Sequence, residues 1–420
     1  MKLLVIAYSF PPIVDAQSIR WAYLTKELIN LGLDIDILTI KLPPGFEDEF
    51  KIKYPSVYRI FPGPFEYIFY RAKSRIGVNS EGNVNKRRNQ IFIAIKKVYR
   101  GFRSLLNSLL IPDIRTEWLP FVLWFINKKI DIRKYDVVIT SHEPGVDSIA
   151  GLYLKRKYPK IKWVADFGDP FVAPYTPKIR RWLDRLLEEK IYKKANKIIF
   201  TSEKVKYEII KQYPKINCEK IYILPQGFDN NFALECNSYT PNNKELTFCF
   251  TGTFYKNSRD PSQFVKALSE LKHLNFKILL AGRNEIFLEK FEDIKDKVQF
   301  FGMLPHRKSL EIQKKTDVLI HITNKYDMQI PGKLYEYFGA CRAILCITYN
   351  NNDEGAMLVK NLNRGEVVAN RKEDIKQVVL KMYNCWKKGD FSKNYDLGLL
   401  SVKDFSWQKL AKNMYRIIIH

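Results

Sequence analysis

The sequence lacks features that would place it at once in a membrane or secreted class. Its longest apolar run, residues 118–126, is interrupted by Pro120 and falls short of the roughly 20 residues that a membrane-spanning helix requires. Residues 3–7 are apolar but too few for the core of a signal peptide, so we expect a first strand there. These absences predict a soluble or peripherally membrane-bound protein.

Catalytic and metal-binding signatures are also missing. The six cysteines form no CxxC pair and have no metal-site spacing with histidine, which indicates reduced thiols in a cytoplasmic protein. We expect neither a metal nor a cofactor. The sequence has no GxxxxGK[ST], GxGxxG, GxSxG or HExxH pattern, which argues against P-loop ATPases, ordinary dinucleotide enzymes and common hydrolases.

Positive charge is abundant, with a formal net charge of +25. Much of it lies in an insertion at residues 67–112, where Glu81 is the single acid. Apolar residues from Ile91 to Leu109 recur at steps of four and three, which predicts an amphipathic helix. Such a helix could lie on an anionic membrane surface. It could instead pack its apolar side on the protein core and expose its basic side to water, and both interpretations stay open.

Apolar strands and amphipathic helices alternate along the chain, which predicts the α/β class with parallel sheets. A strand at residues 3–7, a helix at 18–29 and a strand at 35–40 form the first such unit. The alternation of strands and helices restarts after a polar stretch at residues 230–245, which is the best candidate for a linker. We therefore predict two doubly wound Rossmann-like domains, residues 1–228 and 229–404, facing each other across a cleft that is the default site. The other predicted strands are residues 136–140, 163–166, 197–200, 221–224, 246–250, 276–281, 298–301, 318–322 and 344–347.

Three polar residues of the first domain fall at or just after strand ends, where open α/β sheets bind ligands. Asp15 lies in the loop after the first strand, His142 follows the strand at residues 136–140, and Asp166 ends the strand at residues 163–166. Asp15 could instead cap the following helix, and a strand-end histidine is often only a hydrogen-bonded structural residue.

Two stretches of the second domain suit a nucleotide. Residues 250–259 join its first strand to its first helix and bring a glycine and two cations, Lys256 and Arg259, to a strand end where they could bind a diphosphate. Lys333 and Glu336 are three residues apart at the start of a helix, so they share one face, and the carboxylate could accept ribose hydroxyls. The alternatives are solvated loop charges and a surface ion pair.

Together these pieces resemble the GT-B glycosyltransferases of the retaining family 4 type, which include enzymes of bacterial surface-polysaccharide synthesis. The resemblance lies in Tyr8-Ser9-Phe10-Pro11-Pro12, Ala165-Asp166-Phe167-Gly168-Asp169-Pro170, Leu224-Pro225-Gln226-Gly227-Phe228-Asp229, Gly252-Thr253-Phe254-Tyr255, Phe301-Gly302-Met303-Leu304-Pro305 and Pro331-Gly332-Lys333-Leu334-Tyr335-Glu336-Tyr337.

The resemblance implies roles for these residues. Glu336 would hold the donor ribose, and Lys256 and Arg259 the diphosphate. His142 would contact the donor sugar. Residues 302–305, which include Leu304, would run alongside the nucleotide base. The remaining substrate-binding candidates are Asp15, Asp166, Gly252, Thr253 and Lys333. Residues 1–228 would form the acceptor side, and residues 405–420 a terminal helix that crosses back to it.

Two departures from the family pattern bear on the donor. The first loop usually carries paired glycines near the phosphates, whereas this chain has Val14-Asp15-Ala16-Gln17. A second glutamate often stands eight positions before the ribose glutamate, where this chain has Met328.

The resulting expectation is a retaining hexosyltransferase that needs no metal. Its donor is a nucleotide sugar, its acceptor is lipid-linked or a polysaccharide, and its place is the inner face of the cytoplasmic membrane, on an anionic surface. One alternative is a GT-B-fold nucleotide-sugar epimerase, which needs no acceptor. Others are a non-catalytic sugar-binding module, and a basic protein that binds nucleic acid or anionic surfaces. Since the chain has no RRM, KH or helix-turn-helix signature, we expect no nucleic-acid partner.

Overall fold

The computed structural model describes residues 1–50, 52, 54, 56–77, 110–172, 176–234, 244–325 and 329–420. The chain divides into two compact units. Unit 1 is Met1–Leu224 with Ala411–His420, and unit 2 is Pro225–Leu410. The predicted amphipathic helix from Ile91 to Leu109 and the departure at Met328 lie outside the described residues.

Unit 1 is built on a parallel sheet, which has seven strands within the described residues, in the order β3-β2-β1-β4-β5-β6-β7. The strands are β1 (Lys2–Ile6), β2 (Asp34–Ile40), β3 (Ser56–Ile60), β4 (Val137–His142), β5 (Lys162–Phe167), β6 (Lys197–Phe200) and β7 (Ile221–Ile223). Central strands are buried throughout, as in β4, which explains their continuous apolar runs.

The helices of unit 1 follow its strands. They are α1 (Ala16–Asn30), α2 (Pro64–Gly77), α3 (Leu119–Lys129), α4 (Val146–Lys157), α5 (Arg181–Lys194) and α6 (Glu203–Gln212). Two of them begin at capping residues. Asp15 accepts a hydrogen bond from the Ser18 N–H at the start of α1, and Ser202 accepts one from the Val205 N–H at the start of α6.

Unit 2 repeats this plan with a parallel sheet in the order β10-β9-β8-β11-β12-β13, as far as the described residues show. Its strands are β8 (Leu246–Thr251), β9 (Phe276–Ala281), β10 (Val298–Gly302), β11 (Val318–Ile322), β12 (Ala343–Thr348) and β13 (Gly365–Ala369). Its helices are α7 (Asn230–Leu234), α8 (Ser262–Glu270), α9 (His306–Lys314), α10 (Gly332–Ala340), α11 (Glu354–Asn361), α12 (Lys372–Lys387) and α13 (Phe391–Asn394). The last helix, α14 (Trp407–Ile419), begins in unit 2 and ends in unit 1.

Two doubly wound Rossmann-like units confirm the predicted fold class. The division between the units falls after Leu224, close to the predicted boundary at residues 228 and 229. Phe228 belongs to unit 2 because its backbone N–H bonds to the Phe405 carbonyl and its ring lies in that unit's core. Of the polar linker candidate, Asn230–Leu234 forms α7 and residues 235–243 lie outside the described residues.

The elements that were not predicted from the sequence include the strands β3 and β13 and the helices α2, α3, α11 and α12. In β3 only Ile60 is buried, and Arg59 is exposed, because the strand lies at the edge of its sheet. An edge strand needs no continuous apolar run, so it gives a weak sequence signal. The sequence predicts a helix at residues 285–293, which is wrong: residues 285–297 form 3₁₀ turns with non-helical backbone at Ile294.

Across the described residues, none of the helices combines the length and the apolar character that crossing a membrane demands.

Candidate functional site

Unit 2 has a polar site at the carboxyl edge of its sheet, where three strand ends meet closely. The Gly252 N–H bonds to the Ala281 carbonyl, and the Gly282 N–H bonds to the Gly302 carbonyl, each at 2.8 Å. Gly282 has a φ of +129°, and a Cβ atom there would lie 1.8 Å from the Gly252 oxygen. Only glycine therefore fits at this position.

Asn284 holds the loop that follows β8. Its Nδ2 donates to the Gly252 carbonyl at 3.0 Å, and its Oδ1 accepts from the Phe254 N–H at 2.8 Å. The side chain is fully buried. Thr253, between these contacts, is half-buried, so the loop with Gly252 and Thr253 is fixed at the edge where both were predicted. Asn284 was not singled out from sequence, although it follows a strand by only a few residues.

The two cations of this loop have different environments. Arg259 Nη2 donates to Asn324 Oδ1 at 2.9 Å, while its buried Nε has no hydrogen-bond partner among the described residues. Burial lowers the pKa of Arg259. Lys256 is exposed in the preceding turn. Arg259 is thus a fixed charge, whereas Lys256 is free to reorient toward a ligand.

His321 lies close enough to Arg259 for the arginine's charge to influence it. Burial, followed by the charge of Arg259, lowers the pKa of His321 to about 3, so the ring is neutral at physiological pH. Its Nε2 is buried without a hydrogen-bond partner within the described part of the chain. His321 is the second-to-last residue of β11, and its apolar neighbours in the sequence gave no sign of a site.

Glu336 is the centre of a buried polar cluster. Lys333 Nζ lies 2.6 Å from Oε2, His306 Nε2 lies 3.2 Å from Oε1, and Gln313 Nε2 lies 3.4 Å from Oε2. Burial alone would raise the pKa of Glu336, but the charge of Lys333 and the contacts with His306 outweigh it and lower the pKa to about 2. Lys333 and Glu336 share one helix face as predicted, and Glu336 is buried rather than part of a surface pair.

The cluster is joined to the strand end at β8. Gln313 donates to Thr251 Oγ1 at 2.8 Å, and the Thr251 N–H donates to the Tyr337 hydroxyl at 3.1 Å. His306 and Gln313 lie seven residues apart on α9, and both face Glu336. Sequence reasoning missed them because they come from a different helix. Leu304 is half-buried in the loop before α9.

Unit 1 has a cavity of about 470 Å³ near the carboxyl ends of β1, β4 and β5. Polar side chains dominate its wall. The charged and polar lining residues are Ser9, Asp15, Gln17, Asp113, Arg115, His142, Glu143, Thr176, Arg180 and Asp184. The cavity therefore brings together Asp15 and His142, which the sequence predicted, with several residues that it did not.

Asp15 precedes α1 and Gln17 lies in its first turn, in the stretch that departs from the glycine pattern of the resembling family. Asp15 Oδ1 caps α1, and its Oδ2 accepts a hydrogen bond from the Ser9 hydroxyl at 2.8 Å. The Gln17 side chain is 2% exposed, and neither amide atom has a hydrogen-bond partner among the described residues. It fits because Gly168 lies opposite, where a Cβ atom would be 1.6 Å from Gln17 Nε2. Gly168, in the loop after β5, therefore leaves the space that the Gln17 side chain occupies.

His142 is the last residue of β4 and is only 5% exposed. Its ring centroid lies 4.6 Å from that of Phe167 and 5.1 Å from that of Phe171, and Nδ1 lies 3.3 Å from Ser148 Oγ. Burial lowers the pKa of His142 to about 3. The imidazole is therefore neutral at physiological pH and can contribute a hydrogen bond, but not a positive charge.

Glu143 forms a carboxyl pair with Asp169. The two side chains are hydrogen-bonded, and burial followed by the charge of Asp169 raises the pKa of Glu143 well above its ordinary value. The backbone at Glu143 has a φ of +89°, an unfavourable conformation for a residue with a side chain. Two carboxyls in contact hold one proton between them, which makes the pair a potential acid or base.

Asp166 lies in a buried ion pair. Arg20 Nε donates to Asp166 Oδ2 at 2.8 Å and Arg20 Nη2 to Oδ1 at 2.9 Å, with both side chains fully buried. Arg20 also donates to the Leu224 carbonyl at 2.9 Å. Asp166 is not among the residues that line the cavity, because its carboxylate points to α1. This contrasts with the substrate contact expected from its strand-end position, which stays a prediction.

No group of three or more histidine, cysteine, aspartate or glutamate side chains that could hold a metal ion occurs in the described ranges. The arrangement offers hydrogen-bond acceptors at Glu336 and cations at Arg259, Lys256 and Lys333. That combination suits a ligand with hydroxyl and phosphate groups.

Residues 94–232, about a third of the chain, match the model of the family described as Glycosyltransferase Family 4. This confirms the resemblance in that part of the chain. No curated protein matches the chain in sequence.

Several solved structures share the fold. A glycosyltransferase from Rickettsia africae ESF-5 is similar with a TM-score of 0.60 at 15% identity, over 99% of this chain and 97% of that one. WaaG, described as a glycosyltransferase involved in lipopolysaccharide biosynthesis, gives a TM-score of 0.54 at 15% identity, over 96% and 98%. A UDP-GlcNAc 2-epimerase from Neisseria meningitidis gives 0.55 at 11% identity, over 100% of both chains. At these identities the likeness shows the GT-B fold, and together with the family match it favours a glycosyltransferase.

Proposed function

From its Glycosyltransferase Family 4 match and its GT-B fold, we propose that this chain transfers a sugar from a nucleotide-sugar donor with retention of configuration and without a metal. The acceptor is a lipid-linked or polysaccharide glycan of the cell surface, reached at the inner face of the cytoplasmic membrane. WaaG, the similar structure described as involved in lipopolysaccharide biosynthesis, supports this acceptor class.

The observation that carries the proposal is the Glu336 cluster. A carboxylate with a pKa of about 2 is ionised at any physiological pH and acts only as a hydrogen-bond acceptor. Its two oxygens offer about four acceptor positions, and three protein groups contact them, so capacity remains for a ligand hydroxyl. A vicinal diol such as that of ribose provides such hydroxyls.

The leaving diphosphate would be stabilised by fixed and mobile cations. Arg259 is anchored through Asn324, and Lys256 is exposed beside it on the same loop. Preorganised charges of this kind stabilise the negative charge that develops on the leaving group. A retaining transfer of this type requires no carboxylate nucleophile. Activity should therefore persist in EDTA, and a large loss there would contradict the metal-free proposal.

The cavity of unit 1 is the proposed site for sugar groups. His142 would contact the donor sugar through a hydrogen bond from a neutral imidazole, since its pKa of about 3 excludes a role as a cation. The Gln17 amide, which has no hydrogen-bond partner among the described residues, offers an NH₂ donor group and a carbonyl acceptor.

A nucleotide-sugar panel tests the donor assignment. We expect one or a few nucleotide sugars to raise the melting temperature of the protein, because selective binding stabilises the folded state. Glu336→Gln should lose that shift and most turnover. Glu292→Gln is a matched control, because Glu292 is an exposed residue of the same unit that pairs with Lys295 at the surface. Equal behaviour of the two variants would refute the role of Glu336.

A nucleotide-sugar epimerase is the second candidate. The Glu143–Asp169 pair favours it, because a carboxyl pair that shares a proton can remove and return protons. An epimerase would convert the donor with no acceptor present. Incubation of the donor in D₂O, followed by NMR, separates the two functions: a new epimer without acceptor supports epimerisation, and acceptor-dependent nucleotide release supports transfer.

A further inference from the structure

Helix α5 of unit 1 exposes large apolar side chains and buries two acidic ones, although it also buries Ile191 and Tyr192 as an ordinary surface helix would. Trp182, Leu183 and Leu186 are exposed by 61%, 36% and 56%. Asp184 and Glu188, one helical turn apart, are fully buried on the opposite side. A helix that only covers a core places its apolar residues inward and its charges outward.

The inward contacts fix this orientation. Glu188 accepts hydrogen bonds from the Tyr192 hydroxyl at 2.9 Å and the Val172 N–H at 3.2 Å, as well as from the Tyr213 hydroxyl. Asp184 lies 3.5 Å from Arg180 Nε. Rotating α5 to bury Trp182 would break these buried polar contacts, so the apolar side remains directed outward.

The outward side is continuous and basic at its rim. Trp182 and Leu183 lie four and three residues before Leu186, which places them beside it on one face of the helix. Ile179, in the turn before the helix, is 79% exposed. Exposed cations accompany them, among them Lys178, Arg185 and Lys190, and the one partly exposed acid of the helix, Glu189, is paired with Lys193. Tryptophan and leucine flanked by lysine and arginine are the residues of helices that lie in the interface of an anionic bilayer. Ile179, Trp182, Leu183 and Leu186 are called the α5 face below.

We propose that the α5 face docks on an anionic phospholipid bilayer, with its apolar side chains entering the interface and Lys178, Arg185 and Lys190 contacting lipid phosphates. The charge complementarity between these cations and an anionic lipid surface selects this occupant.

The position of the α5 face relates it to the cavity of unit 1. Arg180 and Asp184, on the opposite side of the same helical turns, line that cavity. Docking through α5 therefore holds the cavity wall next to the lipid surface, where a lipid-linked acceptor would present its sugar. This link to the acceptor rests on the proposed glycosyltransferase function, whereas the docking itself does not.

Flotation of the purified full-length protein with vesicles tests the proposal. Vesicles of phosphatidylglycerol and phosphatidylcholine should bind the protein, and pure phosphatidylcholine vesicles should bind it much less. The variant Trp182→Ser with Leu186→Ser should bind the anionic vesicles at least about tenfold more weakly, because two large apolar side chains no longer enter the interface. Lys190→Gln should weaken binding about fivefold on anionic vesicles only.

The matched control replaces two equally exposed apolar residues of unit 2, Ile286→Ser with Leu400→Ser, which are 76% and 77% exposed. It should bind vesicles as the unchanged protein does. Equal binding by the α5 variant and the control, or no binding by the unchanged protein, would overturn the proposal. So would a dimer in vesicle-free buffer that the α5 variant alone converts to a monomer, since a second copy would then cover this face.

Donor binding in vesicle-free buffer separates this proposal from the proposed function. Both double variants should show the same nucleotide-sugar thermal shift as the unchanged protein, since neither alters unit 2's polar site. Vesicle binding without any donor shift would leave the docking surface standing and refute the donor assignment.

Discussion

Replacement of Asp166 by asparagine tests the buried ion pair of unit 1. The change keeps the shape of the side chain but removes its charge, which leaves the Arg20 guanidinium buried without a counter-charge. Both side chains are fully buried and joined by two hydrogen bonds of 2.8 and 2.9 Å.

The expected loss of stability is large. Removing one partner of a buried ion pair costs about 3–5 kcal/mol, because the remaining charge is uncompensated. For a unit of about 230 residues, each kcal/mol lowers the melting temperature by about 2–4 °C. Asp166→Asn should therefore lower the melting temperature of unit 1 by about 6–20 °C.

Urea unfolding and thermal melting of the full chain, followed by circular dichroism, measure this loss. Glu189→Gln is the control, because Glu189 and Lys193 form a half-exposed pair at 2.6 Å whose removal should cost at most about 1 kcal/mol. The double replacement Arg20→Met with Asp166→Leu should recover most of the stability, since no unpaired charge remains. A stable Asp166→Asn protein that loses turnover would refute the reasoning and return Asp166 to a substrate-binding role.

Three further outcomes follow from the two sites. Gly168→Ala should destabilise unit 1, because the added Cβ atom would lie 1.6 Å from Gln17 Nε2. Adding Gln17→Gly should then restore the melting temperature. If it does not, the clash lies with another group. His142 has a folded pKa of about 3, below its ordinary 6.5, so the unfolded chain binds its proton first and stability should fall as the pH drops from about 6.5 to 3. His142→Gln should flatten that part of the pH–stability curve, and an unchanged curve would contradict a buried neutral imidazole. Glu336 has a folded pKa of about 2, below its ordinary 4.5, so its contribution is present above pH 4.5 and is lost between about 4.5 and 2. Acid titration of Glu336→Gln should lack this step, and donor affinity of the unchanged protein should show no Glu336 titration between about pH 5 and 9.

Much of the fold was predictable from local patterns. Strand-length apolar runs gave β6, β9 and β11 with their observed bounds. These segments are buried on both sides of a parallel sheet, so burial forces continuous apolar sequence, and a pattern of that kind is visible without any tertiary information. The edge strand β3 shows where such prediction fails. Most of its residues are only partly buried, so burial does not force a continuous apolar run.

Site residues on one element were predictable, and their partners on other elements were not. The three-residue spacing of Lys333 and Glu336 predicted a shared face, and their ion pair at 2.6 Å agrees with it. His306 and Gln313 reach the same carboxylate from α9, and nothing in their own sequence context indicates this.

The sequence by itself determined the alternation of strands and helices, the cap at Asp15 and the clustering of cations near β8, because each depends on neighbours within a few residues. Tertiary structure alone decided which strand-end acids are paired. Asp166 forms an ion pair in the core with Arg20, which is 146 positions away in the sequence. Glu143 contacts Asp169 beside the cavity because β4 and β5 are adjacent strands. Burial and the charge of a distant partner set the chemistry of a carboxylate, and neither is a local property of the chain.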